Sequence, residues 1–174
     1  MKKKLLTLAL VLALLGTACV PGAGKKGPAE GEAEVWFLAQ ENGDTGSALG
    51  REYRSLPEEN RIEALLSLLL AGPEDPELTS PFPQGTGLKG WSLEGETVMI
   101  DLSEAYGGLS GADLTLADGC IVLTLCQLSE VERVYLTVEG RPRPFRDQLL
   151  SAADFLLENE AVEEEAGKET PGRT

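Results

Sequence analysis

The sequence predicts an α+β domain, a two-layer sandwich in which a mostly antiparallel sheet carries two helices on one face. Two kinds of pattern support this fold class. Short segments rich in β-branched and aromatic residues predict strands, and two longer segments with an apolar residue every three or four positions predict helices. Along the chain these elements follow the order β-β-α-β-β-α-β. With 174 residues, of which 42% are hydrophobic, the chain has room for one such domain and flanking tails.

The first two predicted strands differ in character. Residues 34–40, EVWFLAQ, are apolar on both faces, which predicts an inner strand covered by other elements. Residues 49–55, LGREYRS, predict a weaker strand, and the charges of Arg51, Glu52 and Arg54 are typical of an edge that discourages further pairing. If a partner adds a strand to this edge, we expect Arg51 and Arg54 to contact it.

The first helix is predicted over residues 57–70. Pro57 suits the first helical position, and Gly72 and Pro73 end the helix, with Gly72 in a left-handed cap. An acidic loop, EDPE, follows. Its carboxylates could ligate calcium, but they lack the alternating spacing of an EF-hand, so the sequence favours the simple end of a helix. One apolar stripe runs along this helix: Ile62, Leu65, Leu66 and Leu69.

The second half of the domain begins with a hairpin. Residues 88–93 and 97–102 are its strands, and the alternation of apolar residues in the second strand predicts one buried face. A second helix is predicted over residues 113–128 and a last core strand over residues 133–138. A third, amphipathic helix is predicted over residues 147–160.

The N-terminus has the features of an export signal. Lysines precede an apolar run over residues 5–15, which is too short to cross a bilayer. The small residues before Cys19 resemble a bacterial lipoprotein signal, in which this cysteine is lipidated and becomes the new N-terminus. Gly16 stands where such signals usually have Leu, and an ordinary secretory signal cut nearby is the alternative. We expect the chain to be held in the cell membrane by acyl chains such as palmitate on Cys19, on the extracytoplasmic face.

Composition divides the chain into five segments. The Gly-, Pro- and Lys-rich stretch after the signal is typical of a flexible stalk, and the Glu-rich C-terminus is typical of disorder. The predicted segments are a signal peptide over 1–18, a stalk over 19–32, the folded domain over 33–145, an appended amphipathic helix over 146–160 and a disordered acidic tail over 161–174.

The charge and the absence of histidine narrow the possible functions. The net charge is −14, so the chain repels nucleic acid phosphates, and we expect no nucleic acid partner. Without histidine, the commonest general base and the commonest zinc ligand are missing. We predict no catalytic residue, no metal site, no cofactor and no enzymatic activity.

Asp101 and Ser103 form the most site-like pair in the sequence. A hydroxyl beside a carboxylate is half of a hydrolytic arrangement, but no base is at hand to activate it, so we expect Asp101 to end a strand facing water and Ser103 to cap the next turn. A pair such as Asp101 and Asp113 would suit acid–base chemistry, yet no spacing singles it out. Cys120 and Cys126 lie too far apart on one helix to form a disulfide, and we expect both to be packed side chains.

Arg141, Arg143 and Arg146 form the basic cluster of the predicted domain. They would suit an anionic partner or polymer, and the alternative is a solvated turn stiffened by proline. We keep these three residues, together with Arg51 and Arg54, as candidate partner contacts.

The order of the motifs resembles one known family. The strand EVWFL precedes a helix ending LLAGP, the loop FPQGT, a strand ending VMIDLS, a helix with IVLTL and the closing VERVYLTVEG. This series resembles the GerMN domain of sporulation and germination lipoproteins. The resemblance implies an α+β fold similar to ring-building motifs, no catalytic residues, and a role in assembling or stabilising an envelope complex. It also implies structural roles for Gly72, Pro73, Pro83, Gly85, Asp101 and Ser103.

Three functional hypotheses follow. The leading one is a lipid-anchored, extracytoplasmic protein that acts in sporulation or germination by protein–protein interaction, with envelope or sporulation-complex proteins as partners. The second is a lipoprotein that binds a cell-wall polymer or small ligand in a pocket near Trp91 and the turn over 141–146. The third is a hydrolase, which requires converging carboxylates in a cleft.

Overall fold

A computed structural model of the chain describes residues 27–40, 48–143 and 148–155. These residues form eight strands, three α-helices and one turn of 3-10 helix, so the predicted α+β class is confirmed. The longer elements occur in the predicted order along the chain, and short strands and a short helix that the sequence did not predict lie between them.

The first sheet contains β1 (Glu32–Ala39), β2 (Leu49–Ser55) and the short β3 (Leu78–Thr79), all antiparallel, in the order β2-β1-β3. β1 is the inner strand, as its apolar sequence predicts. Every second side chain of β1 from Ala33 to Phe37 is buried. β2 lies at an edge of this sheet, which agrees with the charges in its sequence.

The second sheet contains β4 (Leu88–Glu94), β5 (Thr97–Leu102), β6 (Arg133–Val138), β7 (Arg141–Pro142) and β8 (Leu149–Ser151). Its order is β4-β5-β6, and β7 and β8 both pair with the far side of β6. β5 and β6 are parallel, whereas the other pairs are antiparallel. The strands of the predicted sheet are thus divided between two sheets, and the parallel pair arises because a helical crossover joins β5 to β6.

Three helices accompany the sheets in the described ranges: α1 (Arg61–Ala71), α2 (Glu104–Gly107) and α3 (Gly111–Leu125). Every residue from 117 to 125 is buried, because α3 packs against β1, β6, β8 and α1 at once. A helix that is buried on all sides forms the centre of a core rather than an outer layer. α3 therefore connects the two sheets.

α1 begins later than its sequence predicts. Asn60, directly before it, has a φ of 54°, so the chain turns there and Pro57 lies outside the helix. At the other end Gly72 has a φ of 87° and a ψ of 174°, a conformation that essentially only glycine adopts. The helix therefore ends at Gly72 as predicted, although this glycine is not in the left-handed helical region. α1 buries the predicted stripe of Ile62, Leu65, Leu66 and Leu69.

The predicted helix over residues 147–160 is wrong in its first part. Leu149–Ser151 is β8, which pairs with β6, and Ala152–Asp154 is the 3-10 turn. Pairing with β6 and the burial of Leu150 override the helical periodicity of this segment. The rest of that helix, the signal, Cys19 and the acidic tail lie outside the described residues. Within the described ranges, no helix has the length and apolarity needed to cross a bilayer.

Candidate functional site

The edge of β1 that faces away from β2 is capped, at Glu34 and Trp36, by side chains near the end of α3. The Glu34 N–H donates to Gln127 Oε1 at 2.9 Å, and the Trp36 N–H donates to Thr124 Oγ1 at 3.0 Å. The Gln127 amide in turn donates to the Glu34 carbonyl at 2.6 Å. These side chains occupy the backbone groups that a neighbouring strand would otherwise bind. Among the described strands longer than three residues, β2 and β4 lie at outer edges of their sheets and are the candidates for contact with another chain.

β2 presents backbone groups on its outer side. Because the Glu34 N–H points away from β2, the neighbouring Val35 and its partner Glu52 exchange the hydrogen bonds between the two strands. The pattern alternates, so the N–H and C=O groups of Arg51 and Tyr53 point outward. β2 is thus an edge strand whose backbone could pair with another strand.

A network of charged groups ties β2 to the loop that follows α1. Arg54 lies 2.7 Å from Glu52 and 2.8 Å from Glu74. The Glu52 carboxylate also accepts hydrogen bonds from the N–H groups of Glu74 at 3.0 Å and Asp75 at 2.9 Å. Burial raises the pKa of Glu52, but the hydrogen bonds from Arg54 and from these N–H groups lower it by more, so the pKa lies below its ordinary value. The acidic loop is therefore fixed against the edge of β2.

Arg51 is also engaged within its own sheet. Its guanidinium lies 3.2 Å from Glu34 Oε2 and 5.1 Å from the centre of the Trp36 ring, both on the neighbouring strand β1. Partly exposed ion pairs of this kind contribute about 0–1 kcal/mol each. Both Arg51 and Arg54 bind carboxylates of this chain, and their contact with a partner stays a prediction.

Arg143 is a core residue, which corrects its prediction as a partner contact. It is 8% exposed, and its terminal nitrogens bind the buried Asp118 carboxylate at 3.0 and 3.1 Å. Tyr106 donates its hydroxyl to the same carboxylate at 2.6 Å and lies under the Arg143 guanidinium. Burial, together with the Asp118 charge, raises the pKa of Tyr106 well above its ordinary value. Arg141 is exposed, and Arg146 lies outside the described residues.

β4 is the outer strand of the second sheet, and its backbone also points outward. A two-residue turn, with Gly95 at a φ of 62°, joins it to β5, so Glu94 and Thr97 close the hairpin. The alternation that starts from this pair directs the N–H and C=O groups of Trp91 and Leu93 away from β5. Among the described strands, only β5 pairs with β4.

The side chains of Trp91 and Leu93 add an apolar surface to this edge. They are 36% and 41% exposed. Their cross-strand partners, Ile100 and Val98, are buried, so Trp91 and Leu93 lie on the core-facing side of the sheet but beyond the elements that cover it. An exposed, apolar edge strand is a surface to which another strand can add. We call Trp91 to Leu93 the open edge of β4.

The opposite face of the second sheet carries a shallow, open depression of about 250 Å³. Asp101 lines it, but its Oδ1 accepts hydrogen bonds from the Thr137 hydroxyl at 2.8 Å and the Gly140 N–H at 2.7 Å, which fixes the turn between β6 and β7. Asp101 therefore binds protein groups rather than only facing water. Tyr135 also lines this depression, and Trp91 borders it because β4 is the edge strand where the two faces of the sheet meet; Arg141 and Arg143 do not line it.

Ser103 and the two cysteines have structural environments. The Ser103 hydroxyl donates to the Gly85 carbonyl at 3.1 Å and accepts from the Gly87 N–H at 2.9 Å, so it holds the loop before β4 instead of capping α2. Burial raises the pKa of the Cys120 thiol to about 12 and also raises the pKa of Cys126. Across the described ranges, no three acidic or cysteine side chains converge on a possible metal site.

Comparisons with known proteins agree with this fold. The family model named Germane, described as sporulation and spore germination, matches residues 34–144. The first GerMN domain of the sporulation protein GerM from Bacillus subtilis has a similar structure, with a TM-score of 0.56 and 17% sequence identity, over 71% of this chain and 98% of that one. The tandem GerMN domains of GerM align with a TM-score of 0.52 and 19% identity, over 69% of this chain and 45% of the tandem chain.

At these identities the two structural matches show the fold alone, and this chain spans less than half of the tandem protein. Among proteins with curated descriptions, none matches the chain. The predicted resemblance to the GerMN domain is confirmed by the family match and by the similarity of the structures.

Proposed function

Because the chain belongs to the Germane family of sporulation and spore germination proteins, we propose that it acts in one of these processes by protein–protein interaction and without enzymatic activity. Its partners are envelope or sporulation-complex proteins, which it helps to assemble or stabilise. The open edge of β4 carries this proposal, since outward backbone groups and the exposed side chains of Trp91 and Leu93 lie together there. Strand addition to a sheet edge is a recurring way in which proteins recognise extended segments.

The side chains that resemble catalytic groups stabilise the fold instead. Asp101 holds the turn between β6 and β7, Ser103 holds the loop before β4, and Asp118 binds Arg143 in the core. A general acid or base must reach a proton of the substrate. The engagement of these side chains supports a non-enzymatic role.

The proposal includes lipidation of Cys19, which would hold the domain on the extracytoplasmic face of the cell membrane. The apolar run over residues 5–15 and the small residues before Cys19 support it. Each buried acyl CH₂ adds about 0.8 kcal/mol, so more than one chain is needed for firm anchoring. We expect Cys19→Ser to move the protein from the membrane fraction to the soluble fraction; an unchanged distribution would contradict lipidation at this cysteine.

Complementation tests the open edge of β4, in a spore-forming host whose own copy is deleted. We expect the wild-type chain to restore spore formation or germination and Leu93→Lys to fail, because a charged side chain on an edge opposes strand addition. Leu149→Lys is the matched control, since Leu149 is 45% exposed but lies on β8. Full function of Leu93→Lys at a normal protein level would contradict the assignment of the site.

A second candidate function is the binding of a cell-wall polymer or small ligand in the depression on the opposite face. The observation that favours it is the presence there of Tyr135 beside the Thr137 hydroxyl, since an aromatic ring with nearby polar groups is a usual lining of ligand sites. Under this alternative, Tyr135→Ala should abolish retention on insoluble cell wall while Leu93→Lys retains it. The opposite result favours the open edge of β4.

A further inference from the structure

We infer that the segment bound by the open edge of β4 is an extended strand with an apolar side chain at every second position and basic residues at one end. The basic end lies beside Glu94 and Glu96. This inference rests on the proposed function and adds the chemistry of the partner.

The backbone sets the form of the partner. Trp91 and Leu93 direct two N–H and two C=O groups outward from β4, at the spacing of every second residue. Only an extended chain presents its own N–H and C=O groups at that spacing. The partner segment is therefore a strand, and it would extend the second sheet beyond β4.

The side chains set its apolar pattern. Trp91 and Leu93 lie on the core-facing side of the sheet, whereas Ser92 and Glu94 lie on the other side with Met99 and Thr97. Residues paired across neighbouring strands share a face. A partner with apolar residues at alternating positions covers Trp91 and Leu93, and its polar residues lie beside Ser92.

The charges indicate which end of β4 the basic residues of the partner lie beside. Glu94 and Glu96 lie at the turn end of β4, and no basic side chain within the described ranges forms an ion pair with either of them. Glu132 is adjacent, because its N–H donates to the Glu96 carbonyl, and its carboxylate binds Arg133. At the other end, Lys89 is neutralised by Glu139 at 3.0 Å. The turn end is thus the acidic end, and it favours a basic residue on the partner.

The same charges disfavour a second copy of this chain as the occupant. Each copy carries a net charge of −14, so two copies repel each other as they approach. A basic segment, by contrast, is attracted both by the whole molecule and by the turn end of β4. Charge complementarity of this kind raises association rates and selects among partners.

Two labelled peptides test the inference on the full chain by fluorescence anisotropy. Both match the 7-residue length of β4 and alternate Val with Thr, but one ends in lysines and the other in glutamates. We expect the lysine peptide to bind about tenfold more tightly at low salt, because pairs with Glu94 and Glu96 each add a modest attraction. The difference should shrink at high salt, since surface charges are then screened.

Variants of the chain separate the charge preference from strand addition. Glu94→Gln combined with Glu96→Gln should reduce the difference between the two affinities while both peptides still bind, and the difference that remains is due to the net negative charge of the whole molecule. Leu93→Pro should weaken both peptides, because proline removes an outward N–H. Leu149→Lys should change neither affinity, which shows that the effect is local to β4.

The outcomes distinguish this inference from the function on which it rests. Equal binding of the two peptides to the wild-type chain would contradict the inferred basic end of the partner but would remain consistent with strand addition. Binding of neither peptide overturns the inference, while complementation by Leu93→Lys judges the proposed function separately. Self-association in sedimentation that Leu93→Pro abolishes would identify a second copy as the occupant and also overturn the inference.

Discussion

The outer strands of the two sheets carry opposite kinds of side chain: charged on β2 and apolar on the exposed part of β4. β2 carries Arg51, Glu52 and Arg54, and all three are held in ion pairs with carboxylates or guanidinium groups of this chain. β4 exposes Trp91 and Leu93 instead. Since charges on an edge oppose pairing and apolar residues favour it, the difference favours β4 over β2 as the proposed site of strand addition.

The comparison also shows what the charges on β2 do. Glu52 binds Arg54 and two N–H groups of the acidic loop, so the same side chain that keeps the edge polar also fixes the loop after α1. β4 binds a loop only at its far end, where Lys89 pairs with Glu139 among the described residues, and its turn to β5 has Gly95 at a positive φ. An apolar edge is therefore compatible with folding here, and under the proposed function a partner covers it.

The largest expected effect separates two arginines that look alike in sequence. Arg143→Met should destabilise the domain by about 3–5 kcal/mol, because the Asp118 carboxylate then stays in the core without this guanidinium. Arg51→Met, on the edge of β2, should change stability by less than about 1 kcal/mol. Urea unfolding followed by circular dichroism measures both. Asp118→Leu combined with Arg143→Met should recover much of the loss, and similar effects of Arg143→Met and Arg51→Met would contradict the burial of this pair.

The next effect tests the direction of the backbone on β4. Ser92→Pro should destabilise the domain by about 1–3 kcal/mol, because it removes an N–H that donates to β5 and leaves its acceptor unsatisfied. Leu93→Pro should have a smaller effect on stability, since proline is tolerated on an edge where the N–H faces solvent. Thermal and urea unfolding of both variants measure this difference. If Leu93→Pro were the more damaging change, the outward direction of the Leu93 N–H would be wrong.

The smallest effect on stability concerns Glu52 on the charged edge strand β2. Glu52→Gln should lower the free energy of unfolding by about 1–2 kcal/mol at neutral pH, because the charged acceptor of three hydrogen bonds is lost. The Glu52 pKa is lowered on folding, so its contribution is present above the ordinary value of 4.5 and is lost as the pH falls through the lowered pKa. Unfolding measured across this acid range should therefore show a weaker pH dependence for Glu52→Gln than for the wild type. Parallel profiles would contradict the role of this carboxylate.

The parts of the fold that could be predicted are those whose pattern is local. The ranges of β2, β5 and β6 match the predicted ones, because β5 and β6 alternate apolar, β-branched residues with polar ones and β2 carries the charges of an edge strand. β3, β7 and β8 were not predicted, since two or three residues carry no periodicity and become strands only by pairing with β1 or β6. The helix predicted across β8 failed for the same reason.

The candidate site depended on information that a linear pattern lacks. The sequence identified β2 as an edge, but it could not show that Arg51 and Arg54 find carboxylates on β1 and in the acidic loop. The sequence places Trp91 on a predicted hairpin strand but does not show that its side chain is exposed, because a pattern does not say where a sheet ends. The available signal was the contrast in charge between the apolar WSL of β4 and the REYR of β2.

The ion pair between Asp118 and Arg143 has a consequence for the order in which the domain matures. The two residues are 25 positions apart, and Arg143 follows all three described α-helices and precedes only the short strand β8 and the 3-10 turn among the described elements. If α3 packs before the segment with Arg143 is in place, the Asp118 carboxylate is buried among apolar side chains without its counterion, which destabilises the packed state. We therefore expect the core around α3 to become stable only after that segment has joined it.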